Sequence, residues 1–178
     1  FLPFKYTVNS SIYAGVTNSI NIDGSKLVNI NSTFDNLINI AKSKSTLEKV
    51  SVRLLATSFV YGEEWKDNMY IQAKHYRQLT QITPKEVLAL VDRSSLDKTI
   101  QNFTEYRKEH SNNFIYAMYS RPRAFYSYEA LNTIIVKRLG VSDIIELSYT
   151  SSDPGITQNT LKILEDELIK AYEILRFS

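Results

Sequence analysis

Hydrophobic and polar residues alternate along the first stretch of the chain. Phe4, Tyr6, Val8, Ile12, Ala14 and Val16 fall on even positions, and Lys5, Thr7, Asn9, Ser11 and Thr17 on odd ones. A period of two over this length predicts a long strand with one buried face, because successive side chains of extended backbone point to opposite sides. Asn21-Ile22-Asp23-Gly24 then supplies residues suited to a turn.

Beyond the turn the spacing becomes helical, and each segment opens on a readable cap. Ser32-Thr33-Phe34-Asp35 resembles a capping box ahead of Phe34, Leu37, Ile38 and Ala41. Ser45-Thr46-Leu47-Glu48 is a full box, in which hydroxyl and carboxylate satisfy reciprocal free N–H groups, ahead of Val50, Leu54 and Leu55. Thr83-Pro84-Lys85-Glu86 places Pro at the first position of another helix, where its missing N–H costs nothing. Ser94-Ser95-Leu96-Asp97 opens one that runs through Ile100, Phe103 and Tyr106. Tyr61 to Thr80 is mixed and receives no element. Asn112 to Ser120 is apolar on both faces, so period alone does not separate strand from buried helix; it reads as a short helix capped near Asn112 or Asn113.

After Arg121-Pro122-Arg123, the segment Tyr126 to Leu131 predicts one or two helical turns. Ile134 to Arg138 and Ile144 to Tyr149 read as strands joined at Leu139–Asp143, a link short enough for a hairpin. Asp153-Pro154 caps and starts a last helix carrying Leu161, Leu164, Leu168, Ala171 and Leu175 on one stripe. The expected fold is α+β: a small mixed sheet, made of the long first strand and two late ones, packed with several helices and leading into a long C-terminal helix. A single domain over residues 1–178 is expected. Phe1 is no initiator Met, and no Gly, Asn or Pro stops the last helix before Ser178, so truncation within the helix that starts near residue 153 is expected too.

Composition narrows the chemistry. The 178 residues suffice for a sizeable core, and a net charge of +2 is too mild to argue for a nucleic-acid partner. The absence of Cys removes disulfides, thiolate nucleophiles and sulfur-ligated metals. His75 and His110 both sit among charged residues and read as exposed; neither has a second ligand at helical spacing, and no Gly-x-Ser-x-Gly elbow occurs. Glu63-Glu64 and Glu165-Asp166-Glu167 read as solvated acids. No catalytic residue, cofactor site or metal site is expected. One cluster carries a binding hypothesis: Tyr116, Tyr119, Arg121, Arg123, Phe125, Tyr126 and Tyr128. Aromatic faces stack on sugar rings and guanidinium groups pair with acidic sugars, which makes Tyr119, Arg121, Arg123 and Tyr126 candidate glycan contacts. The competing reading puts the tyrosines in the core and the arginines beside a proline turn.

The run Val136 to Pro154, with Glu146, Ser148, Asp153 and Pro154 as its structural markers, resembles the end of Wzz-type chain-length determinant domains. There, two linked strands and a Ser-x-Asp-Pro helix start lead into a long helix. Phe34-Asp35-Asn36-Leu37-Ile38 with Ser45 to Val50 resembles the family's two early helices, and Tyr6 to Val16 resembles its strand after the first membrane helix. The resemblance implies a polysaccharide co-polymerase on the periplasmic face of the bacterial inner membrane, anchored by flanking helices outside this chain. It implies a ring-forming homo-oligomer that sets the length of O-antigen, capsule or exopolysaccharide made by a partner polymerase, without catalysis or cofactor. Related domains also occur in tyrosine autokinases. On this view Leu168→Asp is expected to weaken self-association more than folding. The alternative expectation is an extracytoplasmic ligand-sensing domain of a membrane receptor.

Overall fold

The computed structural model describes residues 4–15 and 24–177. Its sheet has three strands, β1 (Tyr6–Tyr13), β2 (Ile135–Arg138) and β3 (Ile144–Ser151), in the order β1-β3-β2. Both pairings are antiparallel, where a mixed sheet was expected. The cause is local. β2 and β3 form a tight hairpin closed by Leu139 N–H donating to Ile144 O (2.8 Å), with Gly140 at φ +57. β1 then lies along the other edge of β3, from Tyr6 opposite Ser151 to Tyr13 opposite Ile144. The period-two reading holds. Tyr6, Val8, Ser10 and Ile12 turn inward beside buried Ile145, Leu147 and Tyr149, while Thr7, Asn9, Ser11 and Tyr13 face outward. Val16 and the expected turn at Asn21–Asp23 lie outside the described residues.

Eight helices accompany the sheet among the described residues: α1 (Gly24–Lys42), α2 (Lys44–Tyr61), α3 (Ala73–Ile82), α4 (Lys85–Leu88), α5 (Leu96–Glu109), α6 (Phe114–Ser120), α7 (Tyr128–Leu131) and α8 (Pro154–Phe177). The Ser32 capping box is not a helix start, because α1 is already helical there. Its buried stripe of Ile30, Phe34, Leu37 and Ala41 begins before Ser32, which is exposed. The Ser45 box is displaced by two residues. Ser43 is the N-cap of α2, its hydroxyl accepting from Thr46 N–H (3.2 Å), and it is the single break between α1 and α2. Pro84 precedes rather than opens α4, a helix of one turn. The caps at Ser95 and Asn113 fall within the openings read from the sequence, and Ser127 caps α7.

α2 is the central helix, packed by α1, α5, α6, α7 and α8 and buried almost all round. Its inward hydroxyls find partners: Ser51 donates to Tyr126 O, and Ser58 donates to Leu54 O while accepting from Tyr126 OH. Phe59 and Phe103 meet edge-on at 5.8 Å, joining α2 to α5. Leu161, Leu164 and Leu168 of α8 are 1%, 0% and 2% exposed, within the same core. This corrects the expectation for Leu168: a carboxylate there would be buried in the base itself, so loss of folding precedes any effect on assembly. No helix among the described residues is long and apolar enough to cross a membrane.

Candidate functional site at the start of the long helix

The motif residues Asp153 and Pro154 stand where sheet, α8 and α3 meet. Asp153 is fully buried and accepts from three sides. Its Oδ1 caps α8 by accepting from Ile156 N–H (3.2 Å), and its Oδ2 accepts from Gln72 N–H (2.9 Å) and lies 2.6 Å from His75 Nδ1. Burial by itself raises the Asp153 pKa. The hydrogen bonds from His75, Gln72 and Ile156, with the charge of His75, outweigh it and leave the carboxyl below its ordinary value.

Gly155 completes the joint. A Cβ there would lie 2.5 Å from Tyr70 C and 2.8 Å from Ile71 N, so only glycine lets the loop between α2 and α3 press on the first turn of α8. Asn159 fastens the same loop by donating to Met69 O (2.9 Å).

His75 is therefore not the exposed residue expected; its side chain is 13% exposed. The available signal was its spacing to buried Leu79, four residues on along α3. His110, at the end of α5, is exposed as expected.

A groove of about 880 Å³ opens beside this joint. It exists because β2 pairs only with residues 145–148 of β3, so Tyr149–Ser151 run past the end of β2. The space beside them is bounded by α7 and by Arg123–Phe125. Lys5 and Arg123 bring cations, Glu129 a carboxylate, Phe125 an aromatic ring, and Ser148 to Ser152 hydroxyls. Arg123 holds φ +62, the left-handed conformation that costs a side-chain-bearing residue energy. Phe125 packs edge-on against the His75 ring at 5.0 Å, so the groove wall rests on the Asp153 joint.

The structure splits the aromatic–arginine cluster instead of assembling it. Tyr126 is core: 3% exposed, hydrogen-bonded to Ser58 Oγ at 2.9 Å, its pKa pushed up by burial. It is unavailable to a glycan. Tyr119 is half-buried, donates to Lys44 O (3.2 Å), and lines a separate hollow with Tyr116 and Tyr128. Arg121 is exposed and lines neither space. Of the four candidates only Arg123 reaches the large groove, with Phe125. Ser148 joins it there, while Glu146 lies on the outer sheet face, 3.8 Å from Lys137. The acids of α8 also depart from expectation, because Asp166 and Glu167 both receive Arg53 Nη1, at 2.7 and 2.9 Å, tying α8 to α2.

Chemically, the Asp153–His75 pair is an anchor. The 2.6 Å contact from His75 Nδ1 to Asp153 Oδ2 ties α3 to the start of α8. Among the described residues no group of three His, Asp or Glu is placed to hold a metal ion. The groove offers recognition chemistry: charge, a ring face and hydroxyls along an open strand edge. No family model matches the chain, no curated protein matches it, and no solved structure matches it.

Proposed function

We propose that the chain is the extracytoplasmic base domain of a polysaccharide co-polymerase. In this role it acts without catalysis, as a homo-oligomeric scaffold beside a partner polymerase at the periplasmic face of the bacterial inner membrane. Its action is to set the length of O-antigen, capsule or exopolysaccharide chains. The observation that carries the reading is the Asp153–Pro154 joint. A hairpin, a fully buried aspartate and a proline launch a long helix from the sheet, in the chain order that the resemblance to Wzz-type domains requires. The register adds to it, since Tyr6 opposite Ser151 sets the beginning of β1 next to the beginning of α8. The groove with Lys5, Arg123 and Phe125 suits an acidic sugar, which would let the scaffold touch its polymer. Membrane attachment would come from helices flanking this region.

A second reading, a ligand-sensing domain of a membrane receptor, is favoured by the groove volume alone, which falls in the range of small-molecule sites, roughly 300–1,000 Å³. Deleting the full-length gene and resolving surface polysaccharide by gel electrophoresis separates the two. A co-polymerase leaves polymer that is made but no longer clustered at one modal length; a sensor leaves the length distribution unchanged.

A further inference from the structure

The loop between α2 and α3 carries a second feature, away from the groove. Trp65, the single tryptophan of the chain, is 78% exposed at its tip. The contacts of this loop hold the indole in place. Asn68 ties the loop to itself, its Oδ1 accepting from Tyr70 and Ile71 N–H (2.9 and 3.1 Å) and its Nδ2 donating to Tyr61 O (2.8 Å). Arg77 covers one face of the Trp65 ring at 4.8 Å and donates to Glu64 O; among the described residues no second cation lies over that ring. Beneath, Arg93 donates to Phe59 O, Gly62 O and Tyr76 OH, which fastens the loop to α2 and α3.

Between Trp65 and Tyr76 lies an open hollow of about 430 Å³, with the exposed carboxylates of Glu63 and Glu64 at its mouth and Lys66 beside them. We propose that this hollow binds a neutral, hydroxyl-rich sugar residue of a glycan, stacked on the free face of Trp65 and held by Glu63 and Glu64. The apolar C–H face of a pyranose matches an exposed ring, and carboxylates accept strongly from sugar hydroxyls. The two carboxylates disfavour an acidic sugar at the mouth, while Arg93 and Arg77 each spend donors on loop and helix oxygens. The inference rests on the co-polymerase reading for the polymer that would be met, but binding is read separately from any chain-length phenotype.

Because Trp65 is the sole tryptophan, its fluorescence reports on this hollow directly. The 178-residue chain is titrated with maltotetraose, cellotetraose and mannotetraose, and in parallel with tetragalacturonate. At least one neutral sugar should give a saturable change in Trp65 emission, weakened at least fivefold in the Glu63→Gln/Glu64→Gln double variant, with a weaker response to tetragalacturonate. Circular dichroism verifies that the variant is folded. No response to any neutral sugar, an equal response to tetragalacturonate, or emission that follows protein concentration rather than sugar would each overturn the proposal, the last by pointing to a protein partner. None of these results alters the deletion phenotype, so failure here is distinct from failure of the co-polymerase reading.

Discussion

Replacing Asp153 with Ala removes one carboxylate and breaks three contacts at once. Ile156 N–H loses its cap, worth about 1 kcal/mol in typical helices. Gln72 N–H loses a charge-assisted bond of about 1.5–3 kcal/mol. His75 loses the partner 2.6 Å from its Nδ1 and is left 13% exposed against Phe125. The partner groups sit in a site that water does not readily enter, so the losses add to about 3–5 kcal/mol, the range for breaking a buried pair. For a chain of this size that is a fall in Tm of about 6–20 °C.

Asp153→Asn should lose less, about 2 kcal/mol, because an amide oxygen can still accept from Ile156 while its NH₂ group meets the Gln72 N–H unfavourably. The pH dependence follows with a definite sign. The folded carboxyl titrates below the ordinary aspartate value, so its stabilisation is fully present above the unfolded-state value and is lost as pH falls through the folded one. Asp153→Ala should therefore flatten the acid limb of the stability curve. Urea unfolding followed by circular dichroism between pH 3 and 7 measures both effects. A loss under 1 kcal/mol at pH 7, or an unchanged acid limb, would refute the joint as the organising contact.

Further substitutions test neighbouring parts. Gly155→Ala should cost about 1–3 kcal/mol by overpacking against the Tyr70–Ile71 backbone and shift Trp65 emission as the loop is displaced; an unaltered urea midpoint would contradict the close approach. Leu168→Asp should leave the domain unfolded at 25 °C by circular dichroism, since it buries a charge in the core; a folded monomer would contradict that packing. Arg123→Gly should gain about 0.5 kcal/mol, the relief of a left-handed backbone less the added chain entropy of glycine, and a loss above about 1 kcal/mol would show that the Arg123 side chain holds the loop.

Much of the architecture was legible because the relevant signals were local. The alternation of β1, the caps at Ser95 and Asn113, the β2–β3 hairpin and the Asp153–Pro154 helix start each depend on a few neighbouring residues, and each stands in the structure. The misplaced starts of α1 and α2 show how such signals mislead. A Ser-x-x-acid pattern is also found within or just inside a helix, and the deciding feature was the apolar stripe of Ile30, Phe34, Leu37 and Ala41 extending ahead of Ser32.

The site was less legible, because it is made by long-range packing. His75 and Asp153 are 78 residues apart, and no local pattern announces their contact. Nearness in sequence likewise grouped Tyr126 with Arg123, although one is in the core and the other on a groove rim. The α3 helix was missed in the stretch from Tyr61 to Thr80 because its start has no side-chain cap and Gln72 stands at the N-cap.

The most direct test of the functional claim is the length distribution of surface polysaccharide in a deletion strain complemented with the full-length gene or with its Arg123→Glu form. If the domain sets polymer length by scaffolding, the deletion abolishes the modal length while total polymer persists, the intact gene restores it, and Arg123→Glu restores it only in part. A modal length that survives the deletion would contradict the co-polymerase assignment outright.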